Sequence, residues 1–154
     1  MEIALATYPW AYFTPGGGEI QIEMLQKYLK KKDINVYKFN SWQPKKNTNI
    51  YHFFSCMGGS IDFCHYLKSI EKKLIISASL WITKDTLHMY DIGQIKSQLL
   101  LGDRIIVNSK KEKDLLSDIF GIDKSKFRAS PLISVGIERR FPLLFARFLS
   151  TNRI

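Results

Sequence analysis

Residues 2–39 read EIALATYPWAYFTPGGGEIQIEMLQKYLKKKDINVYKF, and this stretch decides the fold. Its first six residues form a short apolar run, which predicts a buried β-strand. Three glycines follow, and then a segment with helical periodicity. The apolar residues predicted to share one face of that helix are Ile20, Met24 and Tyr28, with Leu25 and Leu29 alongside. The β-branched and aromatic run at 34–39 predicts a second strand, so the stretch is read as strand, helix and strand.

Nearly continuous apolar runs predict three further strands, at 50–55, 74–79 and 104–108. Such runs are typical of strands that are buried on both faces of a parallel sheet. A segment of helical periodicity follows each of these runs, as one follows the first strand, so helices follow four of the five predicted strands. The pattern predicts an α/β fold with a Rossmann-like, mostly parallel sheet and helices on both faces.

Polar residues mark the ends of two of these helices. Ser60 is the predicted N-cap of the helix that follows the third strand. Ser109 and Glu112 have the spacing of a capping box at the start of the helix that follows the fifth strand. Gly121 is the predicted stop of that helix.

The length of 154 residues fits one domain with a substantial core. No apolar run reaches the ~20 residues of a membrane-spanning helix, and the N-terminus lacks a signal-peptide pattern. A cytoplasmic location is therefore expected. Cys56 and Cys64 match no zinc pattern, so they are expected to be buried, reduced thiols. The sequence predicts neither a metal site nor a cofactor.

The formal net charge of +9 favours an anionic partner. The lysines are scattered or lie at predicted helix ends, where they suit the helix dipole. Nucleic acid is disfavoured, because the chain has no arginine-rich run and no ladder of basic and aromatic residues. Sugar-phosphate ligands or an anionic membrane surface rank higher. Attachment to the inner face of the membrane is thus an alternative to free cytoplasmic location.

Ligands of open parallel sheets bind outside the carboxyl ends of the strands. The segments expected there are 15–19, 55–59, 79–81 and 108–109. The glycines at 16–18 precede a helix, whose first N–H groups can hold an anion. They match neither G-x-G-x-x-G nor a P-loop, and a permissive turn between strand and helix explains them equally well.

Three segments, in this order along the chain, resemble the N-terminal domain of family 4 glycosyltransferases of the GT-B architecture. They read EIALATYPWAYFTPGGGEIQIEMLQKYL, NIYHFFS and LLLGDRIIVNSKKEKDLLSDIFGIDKSKFR. The first is similar to the opening strand, glycine loop and helix of that family. The last is similar to its strand-and-helix segment near the end of the domain. The resemblance covers residues 1–128.

This resemblance implies transfer of a sugar from a nucleotide-sugar to a sugar or lipid-linked acceptor, in a cleft between two Rossmann-like domains. The N-terminal domain would hold the acceptor, and its glycine loop would approach the donor phosphates. Carried over to this chain, the implied substrate-binding residues are Gly16, Gly17, Gly18, Glu19, His52, Ser79, Trp81, Asn108 and Ser109. His52 faces either the cleft or the core. Packing alone would account for Trp81, and helix capping alone would account for Ser109.

The donor-binding domain of the family, with its E-x7-E pair, has no counterpart among these residues. No catalytic residue is assigned, and whether the chain is an enzyme is left open. One hypothesis is an acceptor-side domain that is active only with a donor-binding domain supplied in trans. The alternatives are a non-catalytic module that binds nucleotides or sugar-phosphates, and an inactive fragment.

The composition changes at the start of a tail that comprises residues 129–154. Every lysine lies at or before Lys126, whereas five of the six arginines follow it. One hypothesis is a truncated or frameshifted reading frame near this point. The alternative is an arginine-bearing amphipathic helix, FPLLFARFLSTN, that lies on an anionic membrane.

Overall fold

The computed structural model describes residues 1–57, 59–80 and 82–130. The strands are β1 (Glu2–Thr7), β2 (Asn35–Lys38), β3 (Ile50–Phe54), β4 (Lys73–Ser77), β5 (Arg104–Val107) and β6 (Phe127–Ala129). The helices are α1 (Gly17–Lys30), α2 (Ile61–Ser69), α3 (Ile92–Leu101) and α4 (Lys110–Phe120). Short 3₁₀ helices span Ala11–Phe13, Lys84–Met89 and Lys124–Lys126. The predicted site residue Trp81 and the tail from residue 131 onwards lie outside the described residues.

All six strands are parallel and form one sheet in the order β2-β1-β3-β4-β5-β6. One face packs against α1, where Leu25 contributes to the same buried cluster as Phe54 of β3. The opposite face packs against α2, α3 and α4, and its cluster includes Phe53 and Leu99. Successive residues of β3 thus serve opposite faces, as the pleat requires. The predicted α/β fold, with a Rossmann-like parallel sheet and helices on both faces, is confirmed.

Only part of the predicted apolar face of α1 is buried. Ile20 is 53% exposed and Met24 is also exposed. The residues of α1 that are buried are Glu19, Gln21, Ile22, Leu25 and Leu29. The apolar band of this helix is wider than the strip that meets the sheet. On the buried side, Gln21 Nε2 donates to Asn108 Oδ1 across 3.3 Å.

The sixth strand is absent from the sequence-based prediction. It is only three residues long and contains one large apolar residue, Phe127, so it has no recognisable period. It pairs in parallel with β5, and Ser130 N–H extends the ladder to Val107 O at 2.7 Å. The sheet therefore continues past residue 128, where the predicted domain ended. No helix within the described ranges is long and apolar enough to cross a membrane.

The predicted ends of α4 are confirmed. Ser109 Oγ accepts a hydrogen bond from Glu112 N–H at 3.0 Å, as an N-cap should. The Glu112 side chain reaches back to Asn108 N–H at 2.6 Å. Gly121 ends the helix in the left-handed region, with φ of 62°.

Ser60 precedes α2 as predicted, but its side chain does not cap the helix. The backbone of Ser60 is already helical, whereas a capping residue needs an extended backbone to aim its oxygen at the helix. The hydroxyl lies instead 2.8 Å from Met57 O and 3.2 Å from Gln98 Oε1. Ser60 therefore fixes the loop between β3 and α2.

Replacement of Gly121 by alanine should lower the free energy of unfolding by about 1 kcal/mol, because a Cβ is strained at positive φ. Urea unfolding of Gly121→Ala and of the parent chain measures this difference. Gly93→Ala in α3 is the matched control. Its added Cβ would lie 3.6 Å from the nearest atom and φ is not positive, so this change should stabilise the chain. Equal effects of the two substitutions would contradict the left-handed stop at Gly121.

Candidate functional site

The carboxyl ends of the central strands lie side by side. Thr7 aligns with Phe54, Phe54 with Ser77, and Ser77 with Ile106, so the loops after β1, β3, β4 and β5 meet at one edge. From β1 the chain adds β2 on one side of the sheet, and from β3 onwards it adds strands on the other side. The loops that follow β1 and β3 therefore diverge. Such a switch point is where doubly wound sheets bind their ligands. A groove of about 330 Å³ opens there and is called the polar groove.

The polar groove brings together most of the predicted site residues. Those that line it are Gly16, Gly17, Gly18, Glu19, Ser79 and Asn108. Sequence reasoning missed the site roles of Tyr8, Thr14 and Gln21, which also line it. A signal for Gln21 was present, since it is an amide four residues before Leu25 in the buried stripe of α1. Neither His52 nor Ser109 is a lining residue.

The first turn of α1 faces the polar groove with backbone donors. Gly16 is the N-cap and has an extended backbone, but it has no side chain to accept from the helix. Its own N–H donates to Glu19 Oε2 at 2.7 Å. The first N–H groups of a helix have no acceptor within the helix. Those of Gly17 and Gly18 are therefore available to a ligand.

The fold itself does not require glycine at positions 17 and 18. Both residues are helical, and a Cβ added to either would meet nothing within 4 Å. Glycine in a helix costs roughly 0.5–1 kcal/mol relative to alanine. A permissive turn therefore does not explain these two glycines.

Two serines at the edge of the polar groove have strained backbones. Ser55 follows β3 with φ of 121°, and Ser79 follows β4 with φ of 46°. The other two non-glycine residues with positive φ in the described chain, Asp33 and Glu71, follow helices α1 and α2, where left-handed residues are common. Strain of this kind is concentrated at functional sites. Within the described chain, the buried Ser79 Oγ has no hydrogen-bond partner.

The strained turn at Ser55 is held from beneath by Gln98 of α3. Gln98 is only 1% exposed, and its Nε2 donates to Ser55 O at 3.0 Å. Its Oε1 lies 3.2 Å from the hydroxyl of Ser60 in the same loop. A satisfied buried network of this type rigidifies the segment it holds. Gln98 thus positions one wall of the polar groove without touching its interior.

Asn108 holds the opposite wall. Its side chain accepts from Gln21, and its N–H donates to Glu112 Oε2. Burial raises the pKa of Glu112, and the hydrogen bond from Asn108 N–H opposes that rise. Ser109, the next residue, is exposed and uses its hydroxyl as a helix cap. Of the two predicted rim residues, only Asn108 therefore faces the groove.

His52 belongs to the core, which was one of the two alternatives open for it. It is 0% exposed, and its Nε2 lies 2.8 Å from Ser77 Oγ. Its ring stacks on Phe54 with centroids 4.3 Å apart. Burial lowers the pKa of His52 to about 3, so the ring is neutral at physiological pH. A ligand in the polar groove does not reach it.

The cysteines are buried free thiols, as predicted. Burial raises the pKa of both Cys56 and Cys64, the latter to about 12. The reactive form of cysteine is the thiolate. Neither thiol is therefore activated as a nucleophile.

The described lining of the polar groove does not share the positive charge of the chain. No lysine or arginine is among its described lining residues, and Glu19 supplies a carboxylate there. Lysines gather at the opposite edge, where α1 and α2 end and β2 and β4 begin: Lys30, Lys31, Lys32, Lys68, Lys72 and Lys73.

No protein-family model matches the chain, and no curated protein matches it. The chemistry of the site therefore follows from its geometry. Its described lining offers hydroxyl, amide and backbone N–H groups, a single carboxylate, and neither imidazole nor thiol. These groups suit a ligand that carries several hydroxyls.

Proposed function

We propose that this chain is the acceptor-side domain of a two-domain glycosyltransferase of the GT-B type. The observation that supports the proposal is the polar groove at the switch point of the sheet, with two glycines that the fold does not require. The groove is lined by groups that pair with sugar hydroxyls, namely Asn108, Ser79 and the N–H groups of α1. The resemblance of three segments to family 4 glycosyltransferases points to the same reaction.

The charge at the groove favours a sugar acceptor over a nucleotide. A nucleotide-sugar carries a diphosphate, and its departure requires positive charge or a metal to stabilise the leaving group. The described lining residues provide no cation, and the carboxylate of Glu19 opposes a second anion. We therefore assign the donor-phosphate site to a separate domain. The same observation weighs against the alternative of a stand-alone nucleotide-binding module.

Calorimetric titration of the chain with two panels of ligands tests this assignment. One panel contains methyl glycosides of common hexoses, and the other contains free nucleoside diphosphates. We expect at least one glycoside to bind with millimolar affinity, and nucleoside diphosphates to bind at least tenfold more weakly. Asn108→Ala should weaken glycoside binding at least tenfold, since it removes the amide from the groove.

Ser109→Ala is the matched control for Asn108→Ala. It removes the N-cap of α4 and should cost about 1 kcal/mol of stability, but it should leave glycoside affinity unchanged. Nucleoside diphosphates that bind more tightly than every glycoside would contradict the acceptor-side assignment and favour the nucleotide-binding module.

A further inference from the structure

A second cavity adjoins the polar groove and is called the aromatic cavity. It has a volume of about 520 Å³, within the range of small-molecule sites. It lies between the loops that follow β1, β2 and β3, and it shares Tyr8 with the polar groove. The two sites are therefore neighbours, with Tyr8 at their boundary.

The aromatic cavity has a floor of packed rings. Phe63 of α2 lies 4.9 Å from Phe39 and 6.0 Å from Phe53, measured between ring centroids. The rings of Tyr8 and Trp42 add aromatic walls. Aromatic surfaces of this kind bind flat groups by offset or edge-to-face contact.

The polar side chains of the aromatic cavity are largely committed to partners in the protein. Thr7 Oγ1 donates to Phe54 O at 2.8 Å. Lys38 is paired with Glu23, which also accepts from the hydroxyl of Tyr12. Ser60 is bonded within the loop after β3. Few groups are left for ligand hydroxyls, so the cavity favours an apolar occupant.

Trp42 forms an open wall of this cavity. Its indole is 91% exposed, although it lines the cavity. The backbone turn beneath it is fixed by Asn40, whose Oδ1 accepts from Trp42 N–H at 2.9 Å. The position of the indole therefore depends on the turn and not on packing. A large apolar ring left in water at a cavity mouth gains contact area when a ligand covers it.

We propose that the aromatic cavity binds a flat apolar group carried by the acceptor, whose reacting hydroxyl lies in the polar groove. The acceptor class is then an amphipathic molecule, such as an aromatic alcohol or a glycoside with an aromatic aglycone. The description of the ligand as an acceptor rests on the proposed function. The binding of a flat apolar group to the aromatic cavity can be measured without that assumption.

The test compares 4-nitrophenyl glycosides with the matching methyl glycosides, and with 4-nitrophenol alone, by calorimetry or ligand-observed NMR. We expect each nitrophenyl glycoside to bind at least tenfold more tightly than its methyl partner. Trp42→Ala should reduce that advantage at least threefold without loss of stability. Phe13→Ala is the matched control, because Phe13 is 87% exposed and lines neither cavity.

Equal affinities of nitrophenyl and methyl glycosides would overturn the inference and leave the proposed function in place. Equal losses in Trp42→Ala and Phe13→Ala would also overturn it, since the binding would then be unspecific. Failure of all three ligand types to bind at 10 mM would overturn both. Binding of 4-nitrophenol that depends on Trp42, without binding of any glycoside, would support the aromatic cavity and contradict the sugar acceptor.

Discussion

As the pH falls from 6.5 to 3, the burial of His52 is expected to lower the free energy of unfolding by about 4–5 kcal/mol. Burial lowers the pKa of His52 from 6.5 to about 3, because the charged ring would lose its hydration. The unfolded chain therefore binds a proton at His52 near pH 6.5, whereas the folded chain binds it only near pH 3. The stability from this residue is complete above pH 6.5 and falls as the pH decreases towards 3.

His52→Gln removes this titration and keeps a side chain that can hydrogen-bond Ser77. The measurement is the free energy of unfolding in urea at several pH values between 7 and 4. The parent chain should lose up to about 1.4 kcal/mol per pH unit relative to His52→Gln. The matched control is the same exchange at the exposed His88, and His88→Gln should change the free energy of unfolding at pH 7 by less than about 0.5 kcal/mol. A His52→Gln curve parallel to the parent would show that His52 is not buried.

Gln98→Ala is expected to destabilise the chain by about 2–4 kcal/mol. The substitution leaves a cavity beneath the loop after β3 and deprives Ser55 O of its donor. Because Gln98 holds the strained turn at Ser55, the variant should also weaken ligand binding in the polar groove. Urea unfolding gives the first effect, and titration with methyl glycosides gives the second.

The matched control is Gln94→Ala, since Gln94 lies on the same helix and is exposed. It should change the free energy of unfolding by less than about 0.5 kcal/mol. Similar losses in the two variants would mean that the network around Gln98 contributes nothing beyond helix propensity.

The parallel sheet was predictable because its strands are continuous apolar runs separated by segments of a different period. Five strands were found in this way, whereas β6 has too few residues for a period to be visible. Which part of the apolar face of α1 is buried was not predictable, for a different reason. Hydrophobicity alone cannot reveal that Gln21 turns inward to bond Asn108, a residue 87 positions later in the sequence.

The site was predictable in part, because the carboxyl ends of parallel strands meet at one edge. This rule placed Gly17, Gly18, Ser79 and Asn108 correctly at the polar groove. It could not place His52, because the rule concerns residues that follow a strand and His52 lies within β3. Nor could composition show that the described lining of the polar groove contains neither lysine nor arginine.

The most direct test of the polar groove is the double substitution Gly17→Ala and Gly18→Ala. Both added Cβ atoms meet open space in the free protein, so the variant should be about 1 kcal/mol more stable than the parent. If a ligand approaches this backbone, the same variant should bind methyl glycosides at least tenfold more weakly. Higher stability with unchanged glycoside affinity would contradict the account, because the glycines would then have no part in ligand binding.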